Sequence, residues 1–220
     1  AVKPYFERFL QALPTVADLA KAPEEQLLKL WEGLGYYNRV RNLQRGAQAV
    51  MAEHGGVIPA SFELLKTLPG IGEYTAGAIG SIAFQIKVPA VDGNVLRVIS
   101  RVLWREDNIL DVKVKRRIEG EIREILPERV GDFNQSLMEL GATVCLPNGA
   151  PKCDECPLQK LCRAHLKGKE ESLPVKGKAK NRKTENRTVF LLVCDGRIAL
   201  RKRPEKGLLA GLWELPSQEG

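Results

Sequence analysis

Asp92 stands at the mouth of an apolar-periodic stretch, and Gly70 and Gly72 sit in a tight turn ahead of it, within the run LPGIGEYTAGAIGSIAFQIKVPAVDGNVLRVISR at 68–101. A carboxylate at a helix mouth has two uses. It caps unpaired amides, or, aimed into a cleft, it stabilises a sugar that turns positive as a glycosidic bond breaks. The residues around Asp92 leave both open. Gly70 and Gly72 allow positive φ and put no Cβ between backbone and ligand. With Ile71 between them, they offer the first amides of the helix-like segment Glu73–Phe84 to a phosphate. Contacts of that kind hold a nucleic-acid backbone and read no base sequence. An ordinary tight turn between packed helices is the alternative.

Cysteines are the second source of chemistry. Cys145, Cys153, Cys156 and Cys162 fall within eighteen residues as C-x7-C-x2-C-x5-C. A disulfide framework suits small secreted domains, whereas closely spaced thiolates more often bind metal. Four thiolates suit tetrahedral zinc and equally a [4Fe–4S] cluster; spacing alone barely separates them. Cys194 follows the apolar run 189–193 and reads as a buried small hydrophobe.

A third group is WEGLGYYNRVRNL at 31–43. Gly33 and Gly35 break a helix and set Tyr36 and Tyr37 on a loop. An apolar or aromatic side chain there, Leu34 or Tyr36, is placed to wedge between base pairs and help flip a nucleotide. Arg39 and Arg41 are placed to meet phosphates. Tyrosines packed inward at a helical corner are the plain alternative.

These residues need elements to hold them. Pro69 ends a helical pattern at Phe62, Leu64 and Leu65. Val95, Leu96, Val98, Ile99, Val102 and Leu103 predict an amphipathic helix after Asp92. Leu27, Leu28, Leu30 and Trp31 form one apolar face, and a helix over 42–54 ends at Gly55-Gly56. Pro4 and Pro23 suit N1 positions. Helices over 111–126 and 132–144 precede the cysteines, and no strand alternation appears before 187. Then 188–194 reads as a strand, Asp195-Gly196 as a hairpin turn and 197–201 as the returning strand.

The net charge of +7 and pI near 9.2 favour a polyanionic partner. Over 167–187, eight Lys and Arg face three Glu, with Gly, Pro and few apolar residues. That stretch reads as a linker, either a solvated tether or a DNA contact. No apolar run approaches the length of a membrane span, and no signal peptide is visible. The chain starts at Ala1 instead of Met and stops soon after a strand-like segment, so it reads as an internal piece of a longer protein.

On these motifs, 68–101 resembles the helix-hairpin-helix and catalytic-aspartate signature of base-excision DNA glycosylases of the endonuclease III superfamily. In its bifunctional members a nucleophilic lysine precedes the aspartate by an interval that lands here on Tyr74, eighteen residues before Asp92. A tyrosine forms no Schiff base with a sugar carbon, so the resemblance implies a monofunctional glycosylase. The GLGYY-x-R-x-RN string is similar to that of adenine DNA glycosylases, more than to thymine-glycol or uracil-acting relatives. In that family Tyr36 lies against the oxidised guanine opposite the target adenine. Cys156-Pro157 matches the third ligand of the family's four-cysteine loop, implying a [4Fe–4S] cluster, although the first gap is one residue longer than usual. Residues 202–216 resemble the opening of a Nudix-like domain that helps recognise oxoguanine; no Nudix catalytic box follows.

The resemblance implies a mainly α fold. A helix-hairpin-helix domain of six-helix-barrel type spans 1–104, incomplete at its N-terminus, and a helical iron–sulfur domain spans 105–166. A basic linker follows over 167–186, and 187–220 begins the Nudix-like domain. It further implies a monomer acting on double-stranded DNA with an oxoguanine:adenine or guanine:adenine mispair, in the bacterial cytoplasm on the nucleoid. Adenine is extruded into a pocket and protonated by a general acid. Asp92 stabilises the sugar cation, electrostatically or by transient covalent attachment, until water attacks, with Asn94 and Tyr74 as helpers. The family's general acid, a glutamate, falls before the position of Ala1, so this piece is expected to be inactive where the parent protein is active. Two other readings stay open. A bifunctional pyrimidine-lesion glycosylase with lyase activity needs Lys near position 74, and a non-catalytic helix-hairpin-helix module leaves Asp92 as a plain cap.

Overall fold

The computed structural model describes residues 2–177, 184–205 and 207–220. The chain divides into two compact units, Ala1–Gly177 and Lys178–Gly220. The first is helical: α1 Lys3–Ala12, α2 Val16–Lys21, α3 Glu24–Trp31, α4 Asn38–Glu53, α5 Phe62–Thr67, α6 Glu73–Phe84, α7 Gly93–Leu103, α8 Val112–Glu124, α9 Val130–Thr143 and the short α10 Arg163–Leu166. Local chemistry sets many of the boundaries. Thr15 and Asp18 form a capping box on α2. Ser61 caps α5, Asp92 caps α7 and Asp111 caps α8. Pro23 is the N-cap of α3, one place earlier than expected.

Among the described residues, four apolar clusters hold this unit, three of them around the helices that carry the site. Leu13, Ala22, Leu27 and Val40 join α1 through α4. Val50, Leu65, Leu68 and Ala76 lock the hairpin between α4, α5 and α6. Val91, Val95, Leu96 and Val98 pack with Ile109, Ile118, Ile122 and Leu137, joining α7 to α8 and α9. Small residues let backbones touch. A Cβ on Gly77 of α6 would lie 2.2 Å from the carbonyl oxygen of Pro89, and one on Gly131 of α9 would lie 2.8 Å from that of Ser81. The segment between α6 and α7 is thus clamped to α6. From its other side, buried Asn134 of α9 donates to Val88 O at 2.9 Å and accepts from Ala90 N at 3.2 Å. This extended segment leads directly into Asp92.

After α10 the chain stays on the helical unit as far as Gly177. Leu173 is buried beside Cys162 and Ala164, Ile109 N donates to Val175 O at 3.1 Å, and Gly177 N donates to Asn108 Oδ1 at 2.9 Å. Lys178, Lys180, Arg182 and Lys183 of the expected basic linker lie outside the described residues.

In the second unit, β1 Arg187–Val189, β2 Val193–Cys194, β3 Arg197–Ile198, β4 Arg201–Lys202, β5 Trp213–Glu214 and β6 Ser217–Glu219 form three antiparallel ladders, β1–β6, β2–β3 and β4–β5. The expected hairpin turn is present, with Asp195 at φ 48° and Gly196 at φ 72°. The single strand expected over 188–194 is broken, because β1 pairs with β6 while β2 folds back on β3. Cys194 is exposed, contrary to expectation. A two-stranded ribbon has no second layer to bury it.

Candidate functional site

The hairpin forms as its residues require. Ile71 N donates to Leu68 O at 3.1 Å, closing a turn in which Gly70 has φ 79°. Gly70 has a second reason to lack a side chain, since a Cβ there would meet Asn42 Cβ of α4 at 2.5 Å. Ile71 is half-buried and packs into the α4–α6 cluster. Gly72 differs from expectation. It is the N-cap of α6 with φ −90°, a conformation open to any residue, and nothing lies within 4 Å of an added Cβ. No side chain caps α6, so its first amides face outward at the positive end of the helix dipole.

Asp92 is half-buried with both oxygens engaged. Oδ1 accepts from Val95 N at 2.8 Å and Oδ2 accepts from Asn94 Nδ2 at 2.8 Å. Tyr74, on the first turn of α6, is close enough for the Asp92 charge to act on it. Burial first, and that charge second, hold its phenol above the ordinary range. Its hydroxyl donates to Met138 Sδ at 3.3 Å. Asp92, Asn94 and Tyr74 are thus brought together, with a neutral tyrosine beside the carboxylate. Tyr74 lies on the first turn of α6, directly after the hairpin that ends at the N-cap Gly72.

Asn94 connects this carboxylate to the cysteines. Its Oδ1 accepts from Arg97 Nη2 at 2.9 Å, and Arg97 donates further to Gly141 O at 2.7 Å and, through Nε, to Cys145 O at 2.7 Å. Arg101, one turn on, donates to Cys145 Sγ at 3.2 Å, Leu146 O at 2.9 Å and Leu173 O at 2.9 Å. Both arginines are buried. Cys145, Cys153, Cys156 and Cys162 are all free thiols lining one cavity with Arg101, His165 and Glu170. Burial, the Glu170 carboxylate and neighbouring cysteines push the Cys153 thiol up to about 11. Burial likewise raises Cys156. The polypeptide therefore disfavours thiolates here unless a cation joins them.

A single tetrahedral zinc holds its sulfurs about 3.8 Å apart, from a Zn–S distance of about 2.3 Å. No three of the four cysteines come within 4.8 Å of one another; among the described residues that closeness is met by Cys153, His165 and Glu170. Four sulfurs lining one cavity are a donor set that a multi-iron cluster could use. The first gap contains an exposed turn at Gly149, φ 71°, and Lys152 N donates to Val144 O at 3.0 Å.

The third group is at the α3–α4 corner. Tyr36 is 79% exposed with φ 48°, and the Arg39 guanidinium lies 5.1 Å from its ring. Leu34 and Tyr37 are half-buried, so Tyr37 is not displayed as expected. Helix α4 begins at Asn38, four residues before the expected start, because Tyr37 already has helical φ and ψ. Arg39 and Arg41 therefore sit on its first turn, and Arg41 pairs with Glu24 at 2.8 Å. Helix α4 runs from this corner to the hairpin, where Asn42 meets Gly70.

Sequence reasoning missed Arg97, Arg101, Asn134 and Met138. A signal existed for the arginines: two cations four residues apart on the helix that otherwise carries the apolar face.

The profile "HhH-GPD superfamily base excision DNA repair protein" matches residues 1–124. The chain is 38% identical to the adenine DNA glycosylase of Homo sapiens, over 97% of this chain and 47% of that protein. It is 40% identical to the adenine DNA glycosylase of Arabidopsis thaliana, over 98% and 39% respectively. It spans about half the length of such relatives. Among solved structures it is similar to a thermostable thymine-DNA glycosylase, with TM-score 0.67, 30% identity and 76% of each chain covered. It is also similar to endonuclease III in a non-covalent DNA complex, with TM-score 0.64, 27% identity, and 76% of this chain and 77% of that one covered. Hairpin, capped aspartate and helical body together agree with these likenesses, and the chain belongs to the HhH-GPD superfamily of base excision DNA repair proteins.

Proposed function

We propose that the protein is a monofunctional DNA glycosylase that removes adenine paired with oxoguanine or guanine in duplex DNA, acting as a monomer. The observation that carries this reading is Asp92, fixed through both oxygens at the mouth of α7, with neutral Tyr74 beside it and the hairpin at the other end of the same chain segment. Backbone amides at Gly70, Ile71 and Gly72 hold a phosphate and position the strand. Asp92 then faces the sugar whose positive charge develops as the bond to adenine breaks. Asn94 keeps the carboxylate oriented, and Tyr74 supplies a wall without an amine, so no Schiff base forms. A phenol held above its ordinary range is a poor acid, so the proton for the leaving base comes from another group. Tyr36, Leu34 and Arg39 engage the opposite strand, with Tyr36 against the oxidised guanine.

Cys145, Cys153, Cys156 and Cys162 hold a [4Fe–4S] cluster in this reading. When bound, it supplies the cationic core that the crowded thiolates need. The 187–220 segment begins a Nudix-like oxoguanine-recognition domain. The test uses the full-length protein and a duplex with one oxoguanine:adenine pair. Free adenine should accumulate, the sugar–phosphate strand should remain uncleaved until alkali, and borohydride should trap no adduct. A trapped adduct would establish the lyase alternative, and binding without adenine release would establish the non-catalytic one.

A further inference from the structure

We propose that Trp31 is a positioning residue for oxoguanine recognition, holding Tyr36 outward through the carbonyl of Gly35. The inference rests on the reading of Tyr36 given above. Trp31 is the last residue of α3, and its indole N–H donates to Gly35 O at 2.9 Å. That carbonyl belongs to the peptide plane joining Gly35 to Tyr36. Fixing its orientation fixes the Tyr36 N–Cα axis, and the bond from Arg39 N to Tyr36 O restrains the residue on its other side, so the two together set where the side chain leaves the backbone.

The loop needs such a hold. Gly33, Gly35 and Tyr36 have φ of 93°, 69° and 48°, so three of four consecutive residues are left-handed. For a tyrosine that region is sparsely populated and persists only where its surroundings impose it. The ring itself gains little support, being 79% exposed with the Arg39 guanidinium as its ring contact. Support comes from the backbone side. Arg39 N donates to Tyr36 O at 2.7 Å. Tyr5 Oη of α1 lies where a Cβ on Gly33 would come within 2.8 Å. Trp31 is itself anchored, its ring edge-on to Phe9 of α1 at 6.0 Å and 79°, against the Leu13–Leu27–Val40 cluster. A half-buried residue packed against the core thus reaches four positions along the chain to hold the peptide that presents an exposed, strained tyrosine. The hydrogen bond is not required by helix α3, whose C-cap bond is made by Glu32 N to Lys29 O.

The test measures, in the full-length protein, the ratio of affinities for two duplexes that differ at one base: oxoguanine or guanine opposite a tetrahydrofuran abasic site. Trp31→Phe keeps a ring against Phe9 and removes the N–H. It should lower the oxoguanine preference about tenfold, the scale of one hydrogen bond in a part-buried site. Loss of fold alone lowers both affinities and leaves the ratio. Tyr36→Leu should abolish the preference, and adding Trp31→Phe to it should change nothing further. Gly35→Ala supplies a second route, since its Cβ meets no atom within 4 Å while φ 69° disfavours it, so it disturbs the same peptide plane without touching the core. It too should lower the ratio. An unchanged ratio in Trp31→Phe and Gly35→Ala, with Tyr36→Leu abolishing the preference, overturns this inference and leaves the reading of Tyr36 standing. An unchanged ratio in Tyr36→Leu overturns that reading and this inference together.

Discussion

Helix α7 serves two regions that are held in opposite ways. At its N-terminus, Asp92 receives a donor on each oxygen from the fold itself, the Val95 amide and the Asn94 side chain. Further along, Arg97 and Arg101 reach the cysteine loop, where four thiols line one cavity and burial favours the protonated form of Cys153 and Cys156. The carboxylate is preorganised by polypeptide. The cysteines share a cavity that, in the proposed reading, a metal cluster completes. The difference separates what folding alone secures from what depends on an added group, although Asn94 and Arg97 link the two through hydrogen bonds.

Removing the proposed cluster probes this contrast most strongly. Stripping it with chelator and oxidant should abolish a brown absorption near roughly 400 nm and lower Tm by about 10 °C or more, because metal binding at such sites is coupled to folding. An unchanged Tm would show that the cysteine region is self-sufficient. In the stripped protein the Cys153 thiol lies at about 11. A raised value means the folded state favours the thiol. That contribution is present below the ordinary thiol range near 9 and is lost as pH rises toward 11. Alkylation of Cys153 should accordingly be slow at neutral pH and climb across that window.

On the preorganised side, Gly77→Ala should cost about 3 kcal/mol in denaturant unfolding, since its Cβ would collide with the Pro89 carbonyl in the segment leading to Asp92. Gly72→Ala has open space and negative φ. It should change stability by about 0.5 kcal/mol or less while weakening duplex binding, because the new methyl stands between amides and phosphate. Equal effects in both variants would erase the distinction between a packing glycine and an access glycine.

The smallest expected effect is a gain. Tyr74→Lys places an amine near Asp92 and should give a low level of strand cleavage with a borohydride-trapped adduct. Its absence would show that position 74 does not reach the sugar.

What was legible in the sequence was local. Helix α6 has the expected limits because Pro69 and the glycines punctuate it and Gln85 ends it at φ 53°. Asp92 was readable as a cap because the apolar period starts just after it. The connections that make it a site were not readable. Asn134 to Val88, Arg97 to Gly141 and Arg101 to Leu173 span more than forty residues each, and no local pattern encodes such a pairing. Tyr37 turned inward because a helix start four residues early rotated it. The break at 190–192 reflects the pairing of β1 with β6, a partner more than two dozen residues away.

In the proposed reading Asp92 both caps α7 and stabilises the sugar cation. Asp92→Asn in the full-length protein separates these roles, because asparagine caps a helix about as well as aspartate but carries no charge. Single-turnover adenine release from an oxoguanine:adenine duplex should fall by about 10³-fold or more, while Tm and duplex affinity stay near wild type. Release at the wild-type rate, or a loss explained entirely by a fall in Tm, would contradict the account and leave Asp92 as a cap alone.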